Sequence, residues 1–174
     1  MRDDNCIFCK ILNGDIPSRV VFEDADFQVN MDAEPATKGH CLILPKDHYA
    51  NVFEMPDVVA DKVLPTAKNV DAHLKKTLHC DGINLVQNNG EVAGQTVHHF
   101  HMHVIPRYEG GNAKDVTWSH SAFSAEELDK IRDQIRLYGR RKVGEDFDSS
   151  SACRGCGKCI HTIKRKYQTI CKRA

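Results

Sequence analysis

Apolar positions along the chain change period several times, and each change marks an element. From Asp57 to Leu78, the apolar residues Val59, Val63, Ala67, Val70, Leu74 and Leu78 recur every three or four positions, the spacing of an amphipathic helix with one face on a sheet. Pro65 falls inside this helix and is expected to kink or split it, and Cys80-Asp81-Gly82 is expected to end it. Val20 to Glu23 and Phe27 to Asn30 are short strand candidates around an Asp24-Ala25-Asp26 turn, and together predict a hairpin. Cys41 to Pro45 is an apolar run with the length of a buried strand, entered through a loop closed by Pro35 and Gly39. Ile83 to Gln87 and Val97 to Ile105 supply two more strands, expected as an antiparallel pair. Ahead of all of these, a knuckle from Cys6 to Cys9 runs into a helical turn that stops at Asn13-Gly14. Past Pro106, a Gly110-Gly111 loop and Trp118 lead to Ser124, an N-cap candidate with Glu127 three residues on, and then to a helical stripe of Leu128, Ile131, Ile135 and Tyr138. The pattern predicts an α+β fold: about five antiparallel strands in one sheet, one long helix packed across it, and a C-terminal helix.

The last predicted strand carries the chemistry. His99, His101 and His103 alternate with Phe100, Met102 and Val104, so a strand from Val97 would place three imidazoles on one face, about 6.5 to 7 Å apart at the Cα level. A single strand histidine is ordinarily a rim or core residue with a satisfied hydrogen bond. Three in strict alternation would each need a partner to offset desolvation, which points to a substrate or a metal. His98 breaks the alternation and is expected on the opposite face, as a structural or interface residue. The loop before the strand holds Asn88-Asn89-Gly90 and Gly94-Gln95-Thr96, residue types that let backbone approach an anion and donate to phosphate oxygens.

A length of 174 residues suits one domain with a real core. Apolar runs are only a few residues long, and Met1-Arg2-Asp3-Asp4 has no signal-like core, so a soluble, cytoplasmic protein with no membrane contact is expected. The 24 basic and 24 acidic residues balance overall. From Ser149 onward there are seven basic residues and no acidic one, leaving 17 basic against 24 acidic residues before it. A basic tail on an acidic body suggests contact with a polyanion or with its own body. Of the eight cysteines, Cys41 and Cys80 are isolated and expected to be buried small hydrophobes, whereas Cys6 and Cys9 have the spacing of metal ligands or a redox dithiol. Cys153, Cys156 and Cys159, with His161 and Cys171, offer enough ligands for a zinc site or an iron-sulfur cluster, against the alternative of a flexible basic tail.

The run from Gly94 to Ile105, Gly-Gln-Thr-Val-His-His-Phe-His-Met-His-Val-Ile, resembles the signature of the histidine-triad (HIT) nucleotide-binding proteins. Cys6-Ile7-Phe8-Cys9-Lys10-Ile11, Gly14-Asp15-Ile16-Pro17, Asp32, Gly39-His40 and Leu44-Pro45-Lys46-Asp47-His48 resemble that family's phosphoramidase-like (Hint) branch in order and spacing. The likeness covers residues from about 5 to 120; a HIT domain at 1–140 is expected, followed by a basic, Cys-rich tail at 141–174 that lies outside the likeness. It implies the α+β fold already read from the pattern, and a homodimer. It further implies that His101 is a nucleophile attacking the α-phosphorus of a purine nucleotide, an AMP derivative. His103 then serves the phosphate and leaving-group side, and the Thr96 hydroxyl stands where this branch more often has serine. By the same likeness, Phe8, Ile11 and Ile16 line the base, Asp32 accepts from the ribose hydroxyls, and Asn88, Gly94 and Gln95 face phosphate. Asn30 stands where family members usually carry an apolar residue. Cys6, Cys9, His48 and His99 resemble the four ligands of the family's zinc-bearing members, a closed structural Zn2+ site. Adenosine phosphoramidase activity is the implied function, with dinucleoside polyphosphate hydrolysis and a non-catalytic nucleotide-binding scaffold as the alternatives.

Overall fold

The computed structural model of the chain describes residues 2–111 and 121–136. Trp118, Tyr138 and the whole Cys-rich tail lie outside the described residues. Helix α1 (Ile7–Asn13) starts from Cys6 as its N-cap and ends at Gly14, which takes the left-handed conformation at φ 86° and returns its N–H to the last turn, as the Asn13-Gly14 stop predicts. Strands β1 (Val20–Glu23) and β2 (Phe27–Met31) form the expected antiparallel hairpin. Its turn is pinned by the Asp24 carboxylate, which accepts from the N–H groups of Asp26 and Phe27 at 2.8 and 2.7 Å. Strand β3 (Cys41–Pro45) is buried throughout. Helix α2 (Asp57–Leu78) follows, then β4 (Gly82–Gln87) and β5 (Met102–Arg107). The five strands form one antiparallel sheet in the order β1-β2-β3-β5-β4.

One sheet face carries Phe27, Val29, Cys41, Ile43 and Val104, and α2 covers it with Val63, Ala67, Val70 and Leu74. Val59 and Leu78 pack at the margin of the same cluster, so the periodic stripe is the core face of the helix. Cys41 and Cys80 are buried, as expected of small hydrophobes, and burial pushes the Cys41 thiol up to about 11. The opposite sheet face is set by the same alternation: Asn30, Leu42 and His103 stand in one transverse row across β2, β3 and β5. This second face bears the polar chemistry.

Three boundaries differ from the pattern-based expectation. Helix α2 is not split at Pro65 but runs unbroken through it. Pro65 is exposed on the solvent side, while Val63 and Ala67 on either side are held in the core. The helix ends at His79, itself left-handed at φ 54°, so Gly82 is free to begin β4. The strand expected from Val97 begins only at Met102, because the pairing of β5 with β3 and β4 reaches no further than Ile43 and Gln87. Residues 97–101 are irregular backbone.

Gly39, at φ +86°, turns the chain into β3 and places His40. A Cβ there would come within 2.4 Å of the Leu78 Cδ1 atom. Gly39→Ala is therefore expected to cost about 1–3 kcal/mol, from left-handed strain and overpacking together, read as a lower urea midpoint at unchanged slope.

Helix α3 (Ala125–Ile135), described by itself, opens with the predicted capping box: the Ser124 hydroxyl accepts from the Glu127 N–H at 3.2 Å, and the Glu127 carboxylate accepts from the Ser124 N–H at 2.8 Å. Among the described residues, no helix is long and apolar enough to cross a membrane.

Candidate functional site

Cys6 and Cys9 lie three residues apart at the start of α1, so one helical turn brings both thiols to one side. His48 comes from the loop after β3, and His99 from the irregular segment before β5. The His99 Nδ1 atom is 3.5 Å from the sulfurs of both cysteines, and the His48 Nδ1 atom is 3.5 Å from that of Cys9. All four ligand atoms lie within 4.8 Å of one another. Tetrahedral zinc, with its usual bond lengths to sulfur and nitrogen, sets ligand sulfur and nitrogen roughly 3.6 Å apart. The His99 Nε2–H donates to the Pro45 carbonyl at 3.1 Å, which leaves the Nδ1 lone pair directed at the sulfurs. Burial lowers the His99 ring to about 4, so it is neutral and ready to ligate. Burial also raises the Cys9 thiol, opposed by a hydrogen bond from the Asp3 N–H and reinforced by neighbouring Cys6. Two thiols and two imidazoles, three of the four residues buried and all ligand atoms within 4.8 Å of one another, fit a closed structural zinc site.

His101 is a buried neighbour of this cluster. Its Nδ1–H donates to the His99 carbonyl at 2.7 Å, so the neutral ring carries its lone pair on Nε2. Phe8, on α1 between the two cysteines, sets its ring edge-on to both His101 and His99, with centroids 5.1 and 5.9 Å apart. The His101 and His103 rings stand 5.1 Å apart. The three histidines are thus not the single row that strict alternation implies. With the backbone irregular before Met102, His99 turns to the thiols, and only His101 and His103 face the same chemistry.

His103 belongs to a relay whose upstream member, His40, the sequence reading left without a role. The Ala36 N–H donates to His40 Nδ1 at 3.1 Å, so a neutral His40 holds its proton on Nε2. That Nε2–H donates to His103 Nδ1 at 3.0 Å, which in turn puts the His103 proton on Nε2, on a side chain 23% exposed. One carboxylate oxygen of Asp32 lies 3.5 Å from His40 Nε2 and 3.8 Å from His103 Nδ1. These three side chains also lie close enough to share a cation. While Ala36 occupies His40 Nδ1, however, the nitrogen that such an ion needs carries the proton. Gly39-His40 is marked in the sequence by resemblance alone, since a lone histidine has no period, and the role of His40 emerges from its contact with His103.

Burial lowers His103 to about 4, with His101 and His40 adding to the effect and Asp32 opposing it. Burial also lowers His40, against the pull of Asp32 and with Arg107 adding. The unfolded rings protonate near pH ~6.5. As pH falls the unfolded chain takes up these protons first, so stability is complete above about pH 6.5 and is lost as pH drops toward about 4. Urea titrations across that window should show the loss, and His103→Asn should flatten it.

Asn88, Gly94 and Thr96 lie together in the loop between β4 and β5, where the Asn88 amide reaches the Gly94 carbonyl at 3.4 Å and Thr96 is exposed. Gln95 is turned to the loop's own backbone. Its carbonyl oxygen accepts from the Gly90 N–H at 2.8 Å, and its amide nitrogen donates to the carbonyls of Ala50 and Val97 at 2.6 and 2.9 Å. It braces the segment leading to His99. Ile11 and Ile16 are half-buried on and just after α1, and His98 is exposed, 3.3 Å from Glu91.

The HIT-domain family matches residues 13–110 of the chain. The Bacillus subtilis protein hit is 40% identical over 134 residues, covering 76% of this chain and 92% of its own length. Adenosine 5′-monophosphoramidase of Candida albicans is 35% identical, with 76% and 90% covered, and adenylylsulfatase of Arabidopsis thaliana is 34% identical, with 80% and 70% covered. Among solved structures, a HIT-family protein of Bacillus subtilis superposes with a TM-score of 0.71 at 40% identity, covering 79% of this chain and all of the other. A zinc-bound histidine-triad protein of Mycobacterium smegmatis superposes with a TM-score of 0.60 at 31% identity, covering 74% and 91%.

Proposed function

Because the chain belongs to the HIT family, we propose that it is a nucleotide hydrolase that cleaves purine nucleoside 5′-phosphoramidates at the α-phosphorus through a nucleotidyl-histidine intermediate on His101. The relatives named for adenosine 5′-monophosphoramidase and adenylylsulfatase support both the hydrolase class and the AMP-derived substrate. The observation that carries the reading is the 2.7 Å bond from His101 Nδ1–H to the His99 carbonyl, which in the neutral ring places the nucleophilic lone pair on Nε2.

In the first half-reaction, His101 Nε2 attacks the α-phosphorus and the phosphorus–nitrogen bond to the amine breaks. The departing amine accepts a hydrogen bond from His103 Nε2–H and takes its proton from solvent. Water then attacks the nucleotidyl-histidine and gives a proton to solvent, the bond from phosphorus to His101 breaks, and AMP leaves. His40, whose own Nε2 faces Asp32, donates to His103 Nδ1 and so holds His103 in the tautomer this needs. Thr96 and Asn88 are assigned to the phosphate side, and Phe8, Ile11 and Ile16 to the base. Cys6, Cys9, His48 and His99 would hold zinc, which when bound cross-links three segments of the fold. The setting we infer is cytoplasmic, and the assembly a homodimer.

Acid-quenched turnover of adenosine 5′-phosphoramidate should show acid-labile nucleotide on the protein, and release of AMP faster than from a diadenosine polyphosphate. Faster cleavage of the dinucleotide would reassign the substrate, and AMP binding without turnover of either would leave a nucleotide-binding scaffold.

A further inference from the structure

The metal-ligand cluster and the nucleophile are not independent. The sheet does not hold the backbone of His101, since β5 begins one residue later. What holds it is anchorage of its neighbours outside the sheet. The His99 ring is enclosed between the two thiols and the Pro45 carbonyl, and the adjacent Phe100 N–H donates to the Tyr49 carbonyl at 2.6 Å. Besides the His103 ring, the His101 ring meets two groups that bear on its direction, and both come from the cluster. One is the carbonyl of His99, a ligand. The other is the ring of Phe8, carried between the ligands Cys6 and Cys9 on α1.

We infer that the Cys6/Cys9/His48/His99 centre, when filled with zinc, positions the nucleophile: it clamps the His99 carbonyl and the Phe8 ring at once and so fixes the direction of His101 Nε2. His99 and Phe8 are thus positioning residues for the reaction, acting through His101. The inference rests on the reading of His101 as nucleophile. A cross-link between α1 and the segment from 97 to 101 removes the freedom of the one group that must meet phosphorus in line, and misplacing such a group by ~1 Å costs about 100-fold in rate. Supporting residues around a metal typically contribute about 10–100-fold.

The test uses the full-length protein, zinc-loaded and chelator-stripped, with folding followed by circular dichroism. Four quantities are read: kcat, KM, AMP affinity, and the nitrogen-15 imidazole spectrum of His101 at one fixed pH. Stripped protein should lose kcat about 10–100-fold, a larger change than any loss of AMP affinity through the released Phe8 ring. The His101 spectrum should change from a single Nδ1–H tautomer to a mixture, and zinc should restore both. Phe8→Leu, which keeps all four ligands, should retain about one zinc per chain and still lose kcat about tenfold. A folded, stripped protein with wild-type kcat and an unchanged His101 spectrum overturns the inference. If stripping unfolds the chain, a zinc-loaded Phe8→Leu with wild-type kcat overturns it instead. Failure of the underlying reading looks different: His101→Ala would then keep its activity whatever the zinc content.

Discussion

His101→Ala is expected to lower kcat for adenosine 5′-phosphoramidate by at least about 10⁴-fold, because the covalent route disappears and no nearby group replaces it. His103 cannot substitute, since its Nδ1 accepts from His40 and its Nε2 carries a proton. The side chain of His101 is buried and its Nδ1–H satisfies the His99 carbonyl, so the alanine variant should also lose about 1–3 kcal/mol of stability. Comparing circular dichroism and AMP affinity with the wild type separates the two effects. His103→Ala removes the hydrogen bond to the leaving group and leaves the nucleophile in place, so its loss should be smaller, about 10²–10³-fold. Acid-labile nucleotide should form on wild-type protein and be absent from His101→Ala. A His101→Ala variant turning over at near wild-type rates would sink the covalent mechanism.

Purified protein should also contain tightly held zinc in the body of the chain, and Cys6→Ala should lose one equivalent of it relative to the wild type by elemental analysis. The melting temperature should fall by about 10 °C or more, since the metal joins the start of α1, the loop after β3 and the segment before β5, and a few kcal/mol shifts a domain of this size by that amount. Removal also leaves the fully enclosed His99 with one of its two sulfur contacts, that to Cys9. An unchanged zinc content and melting temperature in Cys6→Ala would remove the cluster from the list of metal sites in this protein.

Much of the fold was legible in the chain because local periodicity encodes it. The stripe from Val59 to Leu78 is the face of α2 that covers the sheet, and Cys41 to Pro45 is the buried central run its uniform apolarity implies. The turn at Asp24 and the capping box at Ser124 are local motifs whose partners lie within three residues. Where periodicity misled, long-range packing had the larger say: Pro65 is tolerated because the residues flanking it are held in the core, and alternation from Val97 to Met102 did not make strand, because β4 ends at Gln87 and the pairing with β3 stops at Ile43 although β3 itself runs on to Pro45.

The sequence by itself determined the types of group available: two thiols at helical spacing, a histidine-rich run, and a loop rich in amides and glycine. Only the tertiary structure decided how they divide. His99 and His101, two residues apart, serve different centres because one ring nitrogen of each is tied to a particular carbonyl, that of Pro45 for His99 and that of His99 for His101. His40 joins the site from 63 residues away, and its proton position depends on a single backbone N–H from Ala36. Which nitrogen of a neutral imidazole carries the proton is set by the partner it meets in space. Residue identity and spacing carry no record of that partner, so the chemistry was visible in the chain and its direction was not.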